Sequence, residues 1–337
     1  MIWNFLRRRR AVGLDIGDGS IKALVLERQG RDIVITGRAI AAVGAEGDGR
    51  ELGQAVHGVL AAAGVEGEPV VAAVGGGDVV IRQVTLPPLP RSRILPALEI
   101  QHRELGLLPP GESVLDAQIL RRSSEGGTNE LLSVSAPRAL IDARIRLLQQ
   151  AAVSVQVLDV EPLALLNAAM YLTRLELGEL IVVLNIGRRS SVLCLFSEQG
   201  PVVARYLDVG SEAFVEAGRG ISDPAGRGAA GTRLPGETGR MEAACRELIE
   251  RLAEDIRLSM TFYRTEYDRE SLPRFTLGGW TELSHLSRWL GDRLRLSAPL
   301  ELLDPFQAVA ARVEPLGGER LSGPQFLQAF GLALRAV

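Results

Sequence analysis

Residues 15–22, Asp-Ile-Gly-Asp-Gly-Ser-Ile-Lys, gather the residue types that hold a phosphate. Gly17 and Gly19 let backbone N–H groups approach an anion closely, and the Ser20 hydroxyl and Lys22 ammonium add donors and charge. Asp15, at the end of an apolar run, can hold the water shell of a Mg²⁺ ion, and Asp18 lies within the turn. An ordinary hairpin turn favours the same Asp and Gly, so the segment alone leaves both readings open. Residue usage favours the phosphate. Of 38 basic side chains, Lys22 is the one lysine and the rest are arginine. A compact point charge is something lysine supplies and arginine does not.

The same hairpin occurs twice. Sliding the sequence by 170 residues lays 12–30 on 182–200, with 7 of 19 positions identical, among them Gly17/Gly187, Ser20/Ser190 and Gly30/Gly200. Asp15 falls on Asn185. Each copy reads as strand, glycine turn, strand, second turn and third strand: 11–16, 21–27 and 32–40 in the first, 180–186, 191–196 and 201–209 in the second. A phosphate-type hairpin opening each half predicts two similar lobes with a nucleotide between them. The expected grip is Asp15, Gly17, Asp18, Gly19, Ser20 and Lys22 from one side and Asn185, Gly187 and Ser190 from the other.

Two further segments can carry chemistry. Glu161 stands at a strand end and is followed by Pro162 at a helix start, where it can orient a water or a metal ligand. A helix start also favours acidic residues for its own sake, and that reading stays open. Gly278 and Gly279 follow a strand and precede a helix, which suits close approach of a purine or ribose as well as a plain strand-to-helix turn.

Between these landmarks the pattern predicts a helix-like stretch at 57–63, a strand at 69–74 and a separate α/β unit. That unit reads as strand 79–86, helix 92–105, strands 113–120 and 130–136, and helix 137–152. A strand at 154–160 and a helix at 161–177 lead to the second copy. Later come helix 241–267, strand 274–277, helix 283–293 and a terminal helix 324–336; 218–239, with seven glycines, reads as a mobile loop.

Composition excludes several functions. A net charge of −3 and 4 % aromatics leave neither an electrostatic footprint nor a stacking surface for nucleic acid. Cys194 and Cys245 cannot build a disulfide framework, which fits a reducing compartment, and His57, His102 and His285 lack ligand spacing. The apolar runs fall short of the roughly 18 residues of a membrane span. The leader, 1–10, runs apolar then basic, the reverse of a signal peptide. No nucleophile with a neighbouring base is visible.

In order and spacing these features resemble the PilM family, actin-like cytoplasmic proteins of type IV pilus assembly that are similar to FtsA. The resemblance runs through the leader, the 15–22 hairpin, Arg-Gln-Val-Thr-Leu-Pro at 82–87, Leu115-Asp116, the segment 159–167, and Leu277-Gly278-Gly279. It ends with Asp304-Pro305-Phe306 and the closing residues 331–335. It implies the α/β actin/Hsp70/sugar-kinase fold, with ATP and Mg²⁺ between duplicated lobes. The first lobe would be 11–178 with a 1C-type subdomain inserted at 79–152. The second would be 179–337 with a reduced, Gly-rich upper subdomain at 211–259, and the C-terminal helix can return to the first lobe.

The resemblance also implies a place at the inner membrane, peripheral and cytoplasmic. There the protein would recruit the cytoplasmic N-terminus of a PilN-like bitopic membrane protein and contact other inner-membrane and motor components. Three departures reduce the expected chemistry to nucleotide binding with at most weak hydrolysis. They are Asn185 in place of Asp, the bulk of Trp280 after the double glycine, and the Gly-rich 218–239. Two alternatives stand beside this one: a small-molecule kinase of the same fold, and a GspL-like component of type II secretion, which would continue into a membrane span.

Overall fold

The computed structural model describes residues 9–44, 49–106, 108, 112–122, 127–173, 178–197, 200–219, 237–267, 272–280, 285–310 and 321–337. The duplicated hairpins become the starts of two matching five-stranded sheets. In the first, β1 (Arg10–Ile16), β2 (Ser20–Gln29) and β3 (Asp32–Ala42) form an antiparallel meander. β4 (Val70–Val74) and β8 (Val155–Val160) extend it in parallel, giving the order β3-β2-β1-β4-β8. The second repeats it with β9 (Glu179–Ile186), β10 (Ser191–Ser197), β11 (Gly200–Leu207), β12 (Leu272–Gly279) and β13 (Glu301–Leu302), in the order β11-β10-β9-β12-β13. Register carries the repeat to single residues: Asp15 pairs with Lys22, and Asn185 with Val192.

Strand alternation sends neighbouring side chains to opposite faces, so each sheet buries two cores. Ile181 and Val183 face a central layer together with Leu24 and Leu26. That layer is filled by α4 (Glu161–Thr173) and α9 (Leu327–Leu334), two helices apolar on nearly every side and therefore buried all round. On the outer face of the first sheet lies α1 (Gly49–Ala62), joined by the end of α3 (Arg138–Gln150). On the outer face of the second, Val182 and Leu184 pack against α6 (Glu237–Tyr267) and α7 (Leu286–Leu294).

α9 returns from the second half of the chain to lie on β1 and α4, and two glycines let it sit that close. A Cβ at Gly13 would run into the Ala329 carbonyl oxygen, and one at Gly331 into that of Ala164. Both obstacles are backbone, which cannot swing aside. Gly331→Ala should therefore destabilise the protein by about 1–3 kcal/mol, although alanine is the better helix former. Denaturant titration checks this; an unchanged or raised midpoint would contradict the packing.

The inserted unit is a three-stranded antiparallel sheet, β5-β7-β6, of β5 (Val80–Leu86), β6 (Ser113–Arg121) and β7 (Asn129–Pro137). α2 (Arg91–Glu104) closes one face through Leu86, Ile94, Leu98 and Leu131. The other face, through Leu132 and Ala136, joins the central layer. α3 is shared: it follows β7, but Leu148 packs with Val56 and Leu60 of α1.

His102 of α2 is wholly buried, with Nε2 2.9 Å from Ser133 Oγ. Burial, then the Arg82 charge, lowers its pKa below the usual 6.5. The unfolded chain thus takes up the proton first, so stability is full above about pH 6.5 and is lost as pH falls toward the folded value. Relative to His102→Gln, the protein should lose melting temperature between about pH 7.5 and pH 5. A difference that does not change with pH would sink the assignment.

The sequence and the structure part in a few places. α6 begins at Glu237, so Gly239 is helical and not in the loop, and from there it follows the helix expected at 241–267, with Met241 to Tyr263 sharing the core of the second sheet. Residues 220–236, most of the expected loop at 218–239, lie outside the described residues. Three short elements, α5 (Ser211–Ala217), β13 and α8 (Pro305–Ala308), have no counterpart in the sequence reading. The terminal segment opens with a 3-10 turn, Gly323–Phe326, before α9.

Candidate functional site

The two hairpin turns face one cleft of about 440 Å³. Each turn closes the same way: Gly17 N–H donates to Ser20 O at 3.1 Å, and Gly187 N–H to Ser190 O at 3.0 Å. Asp15, Gly17, Asp18, Gly19, Ser20 and Lys22 line one wall. Asn185, Gly187, Ser190 and Gly279 line another, and Glu161 also reaches the cleft. Gly278 stands behind that surface. A Cβ there would collide with the Leu327 side chain and come within 3.1 Å of Asn185 Oδ1, so packing accounts for this glycine. Gly279 has φ +76°, where glycine is favoured.

Asp15 is held at both oxygens. Lys22 Nζ lies 3.1 Å from Oδ2, and Gln328 Nε2 donates to Oδ1 at 2.9 Å. Glu161 packs against Gly75 and accepts from Tyr206 Oη at 3.1 Å. Its pKa is raised, first by burial and then by the Asp15 charge, while Tyr206, Arg144 and Gln328 oppose the rise. Tyr206 is itself pushed up, chiefly by burial. Arg144 reaches in from α3 and donates to Ile16 O at 3.2 Å. Its pKa is lowered by burial against the pull of Glu161, Asp15 and Asp18.

Arg188 spans the lobes. It donates to Val43 O at 3.3 Å and to Glu212 Oε1 at 3.2 Å, and its stem lies over Gly19. Trp280 lines the cleft and stacks on Phe214 at 6.0 Å between centroids. Gln328, Tyr206, Arg144 and Arg188 are the site residues that sequence reasoning missed. Only Gln328 left a signal, as a polar residue in an otherwise apolar helix.

The donor set suits phosphate. Two glycine turns, Lys22, Arg144, Arg188 and Arg189 surround the cleft. Among the described residues no group of three or more His, Cys, Asp and Glu can hold a metal ion. A divalent cation there would arrive with the phosphates, next to Asp15 and Glu161, rather than in a cage built by the protein.

A second concavity, of about 320 Å³, lies where the inserted unit meets the first lobe. Val114, Asp116 and Ala117 of β6 and Val157, Leu158 and Asp159 of β8 line it, together with Leu132, Val134 and Ala136 of β7. β6 and β8 are each the edge of their sheet among the described residues. Ile141 and Ile145 of α3 add apolar surface. At its floor Arg335 Nε lies 3.0 Å from Asp159 Oδ2, both side chains at most 10 % exposed.

From residue 13 to residue 337 the sequence matches the family described as type IV pilus assembly protein PilM. The chain belongs to the PilM family. A solved structure titled "PilM-PilN type IV pilus biogenesis complex" is similar at a TM-score of 0.78 and 26 % identity, over 98 % of this chain and 99 % of that one. The ethanolamine utilization protein EutJ from Carboxydothermus hydrogenoformans is similar in fold alone, with a TM-score of 0.53 and 14 % identity over 99 % and 92 % of the two chains. No curated protein matches the sequence. The family places the chain in type IV pilus assembly and in the actin/Hsp70/sugar-kinase fold. No helix among the described residues is long and apolar enough to cross a membrane.

Proposed function

We propose that this protein is a nucleotide-binding assembly scaffold, cytoplasmic and held at the inner membrane through its partners. It takes the N-terminal segment of a PilN-like membrane protein into the concavity between β6 and β8. One observation carries the reading: an apolar groove is bordered by two strand edges that have no further strand partner among the described residues. Such edges offer backbone N–H and C=O groups to an extended peptide, and the apolar walls select its side chains. ATP with Mg²⁺ is the proposed occupant of the other cleft, gripped by the two glycine turns and Lys22. When bound, the nucleotide supplies phosphates that the cationic side chains hold.

Glu161, which lines the cleft, is the side chain proposed to orient a water near those phosphates. Tyr206 and Gln328 already engage it, which favours binding over turnover. Titration calorimetry with a synthetic N-terminal peptide of the PilN-like protein from the same genome tests the groove. Binding to the protein, and its loss in Ala117→Glu, is the expected result. No heat of binding at any nucleotide concentration would refute the reading.

A further inference from the structure

The cleft and the groove share three pieces of chain. β8 and α4 meet at consecutive residues, of which Asp159 and Val160 line the groove and Glu161 lines the cleft. α3 puts Arg144 into the cleft, and Ile141 and Ile145 on either side of it into the groove. α9 carries Gln328, bound to Asp15, and is followed by Arg335, paired with Asp159. Gln328 and Arg335 thus sit about two helical turns apart, on one side of the segment.

Gly13 and Gly331 seat α9 against β1 and α4 with no room for a methyl group, so one tightly packed helix connects the Gln328–Asp15 contact to the Arg335–Asp159 pair.

We propose that the two sites are thermodynamically linked through α9, so that a nucleotide in the cleft tightens peptide binding in the groove. The inference rests on the proposed function and adds its regulation. The sign follows from order: each ligand fixes the β8–α4 junction, α3 and α9, and the second to bind finds them already fixed. Linkage is reciprocal, so the peptide must tighten the nucleotide by the same factor.

The test measures the Kd of the same synthetic peptide for the full chain without nucleotide and with saturating Mg-ATP. The Kd of Mg-ATP is then measured with and without peptide. A decrease of about fivefold or more, equal in both directions, is expected. In Gln328→Met, shown folded by its thermal transition, the factor should approach one whatever happens to either affinity alone. Both ligands binding with unchanged Kd would overturn the linkage while leaving the proposed function standing. A peptide that never binds would overturn the scaffold role itself, and a nucleotide that never binds would overturn both the linkage and the nucleotide-binding part of the proposed function. A factor unaltered by Gln328→Met would overturn the route through α9.

Discussion

Arg335→Met should cost about 3–5 kcal/mol of stability at neutral pH, the usual result of stranding one member of a buried ion pair. Arg335 and Asp159 lie 3.0 Å apart and are almost fully enclosed. Burial raises the Asp159 pKa, and the Arg335 charge is the largest influence opposing that rise. Without the arginine the carboxyl rises further. A carboxyl whose folded pKa lies above its unfolded value stabilises the fold at low pH and loses that contribution as pH rises through the folded pKa. The cost should accordingly be smaller at about pH 5 than at about pH 8, and Arg335→Met combined with Asp159→Asn should recover part of it. Urea titrations at the two pH values decide this; an equal cost at both would mean that lost packing, not the stranded charge, is responsible.

Lys22→Met should weaken nucleotide binding by roughly tenfold to 150-fold, the equivalent of about 1.5–3 kcal/mol for a charged hydrogen bond. The ammonium is nearly buried and lies 3.1 Å from Asp15, so its removal also leaves that carboxylate less neutralised beside incoming phosphates. Lys22→Arg should restore little, because a planar guanidinium cannot replace a compact charge in a space already bordered by Arg188 and Arg144. Fluorescence titration with a labelled nucleotide reads both variants. Full binding in Lys22→Arg would remove the significance given to the single lysine.

Much of the fold was legible because it is written twice. The 170-residue repeat marked β1 to β3 and β9 to β11, and the turns at Gly17 and Gly187 close with the same hydrogen bond. The short elements were not legible: α5 spans seven residues and β13 two, too few to show a period. The cleft was half legible. Asp15 and Lys22 are neighbours across a hairpin, whereas Gln328 reaches Asp15 from 313 residues away. Arg144 is one arginine among 37, and only the packing of α3 shows where it goes. The resemblance pointed to the inserted unit as part of a partner groove, but its residues could not be read, since β6 and β8 belong to different sheets and border it only in the folded chain.

Hydrogen exchange with and without the PilN-like peptide reports whether the peptide lies between β6 and β8. Backbone amides along the edges of β6 and β8 should exchange more slowly with the peptide bound, while the outer strands of the second sheet stay unchanged. Peptide binding that leaves β6 and β8 unprotected, or protects another surface instead, would contradict this placement.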